Sequence, residues 1–180
     1  GREGAEEHNG IYRIDTSGAA DGQAPFVSSI AFSASALVDQ EGESVGIQAT
    51  INDPQGVSNI DWVCVLPLVE GQESPAWDMP RVPLSFGGHG GEWVYMDDDS
   101  EHGDGGANDG IYAYDDIRTR KGDRVGEDAW NTWYQHYNLP AEVGIRVVAK
   151  DKDDNLCIAD TTLPIVVSRT QASMYLLLLP

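Results

Sequence analysis

From residue 26 to residue 167 the chain is cut into short apolar stretches of about five to eight residues by clusters of Gly, Pro, Asn and Asp. This punctuation constrains the fold more than any other feature. Val45, Ile47, Ala49 and Ile51 alternate with small or polar residues, the period of a strand with one buried face. Residues 60–68 are apolar at nearly every position, which predicts a central strand covered on both faces. Further strands are expected at 26–32, 92–96, 111–114, 143–149, 156–159 and 163–167. Asn52, Asp53, Pro54, Gln55 and Gly56 form a turn signal, because Pro fixes φ and Gly supplies positive φ. Residues 127–136 read as a short helix with Trp130 and Trp133 on one face. Residues 69–91 carry no periodicity and read as a long loop. No long amphipathic helix and no βαβ unit is legible, so the expected class is an all-β antiparallel sandwich with long loops and extended terminal arms.

Three segments follow from composition. Residues 1–24 form a Gly-, Ala- and Glu-rich arm and linker, 25–168 the sandwich, and 169–180 an apolar C-terminal tail. The run from Tyr175 through Leu177 to Leu179 is far shorter than the roughly 20 residues that span a bilayer, so no membrane insertion is expected. It is too apolar to dangle in water, so it packs on this domain or on another chain. Gly1 in place of an initiator Met is compatible with a removed leader or with a trimmed end. Cys64 and Cys157 both sit in strand-like runs. An even count in a secreted protein permits one disulfide, and the other reading is two buried thiols that pack as small hydrophobes.

Charge narrows the function. Eleven Lys+Arg against 30 Asp+Glu give a formal net charge of −19. A phosphate-backbone binder needs basic surface, so nucleic acid is excluded as a partner, and adsorption to anionic lipid is disfavoured. The acids are not spread evenly. Eight of them fall between Asp97 and Asp116, where no Lys or Arg occurs. Crowding carboxylates is costly unless a cation neutralises them, and Ca²⁺ takes about six to eight oxygen ligands. With Asp98 at position 1 of an EF-hand-type loop, Ser100 falls at 3, His102 at 5, Gly103 at 6, Asp104 at 7 and Asp109 at 12. Gly at 6 and a carboxylate at 12 match that template, whereas His at 5 does not. Asp97, Asp99 or Glu101 substitutes in a different wrapping. The candidate Ca²⁺ ligands are therefore Asp97, Asp98, Asp99, Ser100, Asp104 and Asp109, against the reading of a solvated acidic hairpin loop. The second acidic turn, Asp151, Asp153 and Asp154, reads as solvated, with at most one ligand to lend.

The run Asp97-Asp98-Asp99-Ser100-Glu101-His102-Gly103-Asp104, followed by Ala107-Asn108-Asp109-Gly110-Ile111-Tyr112, resembles a recurrent signature of bacterial and archaeal secreted immunoglobulin-like domains. Those domains carry Asp-Asp-Gly-Ser-x-Gly-Asp and then Ala-Gly-Asp-Gly-Ile-Tyr, and an Ala-x-Asp-x-x-Gly-Asn turn to which Ala149-Lys150-Asp151-Lys152-Asp153-Asp154-Asn155 is similar. Asp99, Asn108 and Asp154 stand where that pattern has Gly. The resemblance covers roughly residues 25–168. It implies an immunoglobulin-like sandwich in an extracellular protein, often a repeat or anchor module without catalysis.

Asn9-Gly10-Ile11-Tyr12-Arg13-Ile14 echoes Asp109-Gly110-Ile111-Tyr112-Ala113-Tyr114. Either Gly-Ile-Tyr recurs by chance or ends a preceding repeat, or Ile11, Tyr12 and Ile14 form a strand that pairs with a neighbouring subunit's exposed edge. With Tyr175 and Leu177 in the tail, these residues mark the expected assembly contacts. His8, His89, His102 and His136 lie in unrelated segments, and no nucleophile-elbow, zinc-protease or phosphate-cradling motif occurs, so no enzyme is expected. Trp77, Trp93, Trp130 and Trp133 offer the alternative, a glycan-stacking platform of an accessory module. The expected function is a non-catalytic, Ca²⁺-stabilised extracellular or cell-surface subunit that associates with copies of itself in a surface or filament assembly.

Overall fold

A computed structural model of the chain describes residues 24–69, 72–73, 84–86, 94–101, 104–119 and 141–167. The arm residues Ile11, Tyr12 and Ile14, the tail residues Tyr175 and Leu177, the expected helix at 127–136 and all four histidines lie outside the described residues.

The alternation at Val45–Ile51 does what its period requires. β3 (Val45–Asn52) buries Val45, Ile47, Ala49 and Ile51 on one face, each no more than 2% exposed. β3 is flanked by β1 (Phe26–Phe32) and β8 (Ile111–Thr119), and β8 by β6 (Leu84–Phe86), so one sheet has the order β1-β3-β8-β6. The second sheet has the order β2 (Leu37–Val38), β10 (Leu156–Val166), β9 (Ala141–Asp151) and β4 (Ile60–Val69). Beyond β4, β5 (Gln72–Glu73) pairs with Leu68 and Val69, and β7 (Val94–Met96) pairs with Val63 to Val65. The pairs are antiparallel except β2 with β10, which run parallel. The fold is thus an all-β, two-sheet sandwich. Among the described residues no helix is long and apolar enough to cross a membrane.

One apolar core lies between the sheets. Val63 and Val65 of β4, Val143, Ile145, Val147 and Ala149 of β9, and Leu163 and Ile165 of β10 face Ile47, Ile51 and Ile117. β4 is central and covered on both faces. Its other side sets Cys64 and Leu66 against Val148, with Trp62, Leu156 and Ile158 packed around them.

Sequence and structure part at four places. β8 runs to Thr119, well past Tyr114. Val45 is opposite Ile117 and Ile47 opposite Tyr114, so a bulge at Asp115 and Asp116 flips the inward parity and hides the rest of the strand from a period-two reading. The expected strands at 156–159 and 163–167 are one strand, β10. Asp160, which looked like a break, lies directly opposite Arg146 on the neighbouring β9 and bonds its guanidinium at 2.7 and 2.8 Å. The 69–91 segment contains β5 and β6 rather than loop alone, and β2 was not anticipated, since two or three residues carry no periodicity.

The fourth place is the disulfide. Both cysteines are free. Cys64 is opposite Val148 and Cys157 opposite Ala149, on strands separated by β9. Two strand spacings come to about 9.5 Å, beyond the roughly 7 Å between Cα atoms that a disulfide tolerates. The side chains also face opposite ways, Cys64 into the outer cluster and Cys157 against the main core. The reading of two packed thiols is the one the fold adopts.

Candidate functional site

Three connections meet at one end of the sandwich. The 53–59 segment joins β3 to β4, the 97–110 loop joins β7 to β8, and the 151–155 turn joins β9 to β10. The acidic loop is therefore no hairpin within one sheet. It carries the chain from the β4 sheet to the β3 sheet, and its neck is closed by a two-bond bridge between Asp97 and Ala113, at 3.0 and 2.8 Å.

Inside the neck, the carboxylates face their own backbone. Asp98 takes the N–H of Asp109 on Oδ1 (3.2 Å) and of Gly110 on Oδ2 (3.1 Å). Asp104 Oδ2 takes the N–H groups of Asp99 (2.6 Å) and Ser100 (3.0 Å). Asp99 Oδ1 accepts from Glu101 N–H, Ser100 Oγ from Ala107 N–H, and Asp109 Oδ1 from Ile111 N–H. These are Asx- and Ser-type turns, in which a short polar side chain replaces a backbone carbonyl. They hold Ser100 at φ 75° and Asn108 at φ 62°, left-handed positions that non-Gly residues occupy uncommonly.

The loop is stitched to the sandwich through Gly110. Its carbonyl accepts Ile51 N–H at 2.8 Å, and its φ is 86°. Tyr112, the next residue but one, is half-buried beside the loop. Burial and the Asp98 carboxylate push its phenol up to about 12.

Asp104 differs from the other acids. It is 1% exposed, and its Oδ1 is buried with no hydrogen-bond partner among the described residues. Asp97, Asp99 and Asp109 are exposed, and Asp98 is half-buried. So the six expected ligands share one loop, yet the side chains of Asp98, Asp99, Ser100, Asp104 and Asp109 act first as braces. Among the described residues, no three His, Cys, Asp or Glu side chains converge closely enough to hold a metal ion by themselves. Any ion here must draw on backbone carbonyls and water as well as carboxylate, as Ca²⁺ sites commonly do. Among the described residues no Lys or Arg pairs with these carboxylates. The nearby cations are committed elsewhere, Lys150 to Asp154 and Asp61, and Lys152 Nζ to the Ser58 carbonyl.

The 151–155 turn corrects the solvated reading in part. Asp153 and Asp154 are exposed, but Asp151 is fully buried. Its Oδ1 accepts from the N–H groups of Asp153 and Asn155, and its Oδ2 from the Asn155 amide. Asn59 ties this turn to the 53–59 segment, with Nδ2 3.5 Å from Asp53 Oδ2 and 3.4 Å from Asp153 Oδ2. Neither Asp151 as a brace nor Tyr112 as the ring beside Asp98 was singled out beforehand. The Asp-Lys-Asp-Asp-Asn run carried the Asx-turn signal that locates the first.

Of the aromatic residues, Trp77, Trp93, Trp130 and Trp133 lie outside the described residues. Trp62 meets Tyr95 edge-on, with centroids 6.3 Å apart and planes at 86°, which is no flat stacking surface. Compared with known proteins, the chain matches no family model, and no curated protein is significantly similar to it.

Proposed function

We propose that this protein is a non-catalytic extracellular structural subunit, stabilised by Ca²⁺, that associates with copies of itself through its terminal strands in a surface or filament assembly. The observation that carries this reading is the acidic loop. The fold gathers its carboxylates at one end of a sandwich, turns Asp98 and Asp104 onto the loop's own backbone with Asp104 enclosed, and supplies no Lys or Arg to them among the described residues. Such an arrangement favours a hard divalent cation over the protein's own side chains.

The finer class, immunoglobulin-like, is supported by strand order. Taken along the chain as A to G, the strands β1, β3, β4, β6, β8, β9 and β10 give an A-B-E-D sheet facing G-F-C. β2, β5 and β7 are additions to that frame. Asn108 and Asp154, which stand where the resembled signature has Gly, are left-handed at φ 62° and 66°. That conformation fits the signature, and Asn and Asp are the residues that best tolerate it.

Self-association is supported by β1. Among the described residues it is an edge strand, seven residues long, largely exposed, with Phe26 53% exposed. An edge of that length is a template for an added strand, and the Ile11, Tyr12 and Ile14 arm has strand character.

Solution mass and thermal melting, with Ca²⁺ and with EDTA, test both parts. Ca²⁺ is expected to raise the melting temperature, and chelation to lower it or dissolve assemblies. Deleting residues 1–17 is expected to abolish self-association while the sandwich stays folded. An unchanged melt with no metal by elemental analysis refutes the calcium part, and a truncated chain that still associates refutes the arm.

A further inference from the structure

Building on the calcium reading of this loop, we propose that Asp104 Oδ1 is the anchoring ligand of the cation, and that Asp98, first in the loop template, is a brace of the loop. The two residues have divided their oxygens differently. Both oxygens of Asp98 are taken by the N–H groups of Asp109 and Gly110. Asp104 uses Oδ2 alone for its two backbone N–H groups and leaves Oδ1 without a donor among the described residues, in a residue 1% exposed.

A buried carboxylate oxygen with no partner is costly, and native proteins rarely leave one without a ligand, ion or water. Here its surroundings choose among these. Asp98, Asp99, Glu101 and Asp109 lie in the same loop, so the local potential is negative and draws a cation to the one oxygen that remains free inside. Asp39 makes the contrast. Its Oδ1 is also buried and unpartnered, but it follows β2, next to Val166 and at the opposite end of the sandwich. Because no three side chains converge in the described loop, the other ligands are backbone carbonyls and water, which suits Ca²⁺ and its variable coordination better than a metal needing nitrogen or sulfur.

Asp104→Asn separates the ligand from the brace. The amide oxygen still accepts the Asp99 and Ser100 N–H groups, while an NH₂ group replaces the free oxygen. With Ca²⁺ well above its dissociation constant, the intact protein is expected to melt roughly 5–10 °C higher than in EDTA. Asp104→Asn is expected to lose that rise, to bind Ca²⁺ at least about tenfold more weakly by calorimetry, and to melt in EDTA no lower than the intact protein. Asp39→Asn is expected to keep the full Ca²⁺ response.

An Asp104→Asn protein that responds to Ca²⁺ like the intact chain overturns the assignment and leaves the calcium reading standing. So does one that melts well below the intact chain in EDTA, because Asp104 is then only a brace. An intact protein with no response overturns both. A second readout needs no Asp104 variant. Terbium in place of Ca²⁺ is expected to show luminescence sensitised by Tyr112, beside Asp98, and Tyr112→Phe is expected to dim it. Emission unchanged by that substitution places the ion elsewhere and overturns the proposal.

Discussion

Gly110 is the joint between the acidic loop and the sandwich, and Gly110→Ala tests how tightly that joint is made. Two penalties apply. At φ 86° an L-residue pays about 1–2 kcal/mol for the left-handed region. A Cβ would also stand 2.8 Å from the Ile51 carbonyl oxygen and 3.1 Å from Val57 Cγ2. The first of these is backbone, fixed in β3, and it cannot rotate away. The chain must then move, straining the bonds that Gly110 makes through its carbonyl to Ile51 and through its N–H to Asp98. Overpacking of this kind costs about 1–3 kcal/mol. Replacing Gly by Ala returns about 0.4–1 kcal/mol by narrowing the unfolded ensemble. Gly42→Ala is the control. Its φ is 80°, and nothing lies within 4 Å of the added Cβ, so only the conformational penalty and the entropy gain remain. Gly110→Ala is thus expected to be less stable than Gly42→Ala by about 1–3 kcal/mol. In a chain of this length that difference is a gap of roughly 2–12 °C in melting temperature. Urea and thermal unfolding followed by circular dichroism measure it. Equal stability of the two variants would show that the loop is not seated on Ile51 of β3 and on Val57 of the 53–59 segment, and the account of the site would fail with it.

Two further outcomes are expected. Burial pushes the Cys157 thiol up to about 11, with backbone contacts to Ala149 and Val27 working against it, and Cys64 is fully buried. Both thiols are therefore expected to resist a disulfide reagent at about pH 8 in the folded protein and to react on unfolding, and reductant is expected to leave the melt unchanged. A reductant-sensitive melt would show that a bridge forms. The Arg146 hydrogen bond lowers the Asp160 carboxyl against its partial burial, with the Arg146 charge adding to the effect. Because the folded pKa is depressed, the pair's contribution is present above the unfolded value of about 3.9 and is lost as pH falls through the folded one. Asp160 is 47% exposed, so the contribution is at most about 1 kcal/mol. Asp160→Asn is expected to lower the urea midpoint at about pH 7 and to match the intact protein at about pH 2, and a difference that persists in acid refutes the pairing.

What the sequence makes legible here follows the range of the forces involved. β3 and β4 are readable because their patterns report burial, which acts on every residue of a strand. The bulge at Asp115 and Asp116 is not, since one extra residue inverts the pattern without leaving a mark in composition. Asp160 reads as a break in β10 until Arg146 is known to lie opposite it on β9, a relation between residues 14 apart that only the register creates. The same limit governs the acidic loop. Spacing brings Asp98, Ser100, Asp104 and Asp109 to attention as one group, because carboxylate density is local. It ranks Asp98 first, since a linear template counts positions and does not see which oxygens the backbone has already used.

Burial separates the acids that spacing treats alike. Among the described residues, Asp104 and Asp151 are the two fully enclosed carboxylates at this end, and both were ordinary members of acidic runs in the sequence. Asp151 spends both oxygens on its own turn, which makes it a structural brace whatever the ionic conditions. Asp104 keeps one oxygen back. A net charge of −19 argues in the sequence against nucleic acid and anionic lipid as partners, and as a bulk quantity it says nothing more. Its consequence for function narrows to one enclosed oxygen, because exposed carboxylates are screened by water and salt while an enclosed one is not. On the calcium proposal, cation dependence is accordingly expected to follow Asp104 rather than the total number of acids.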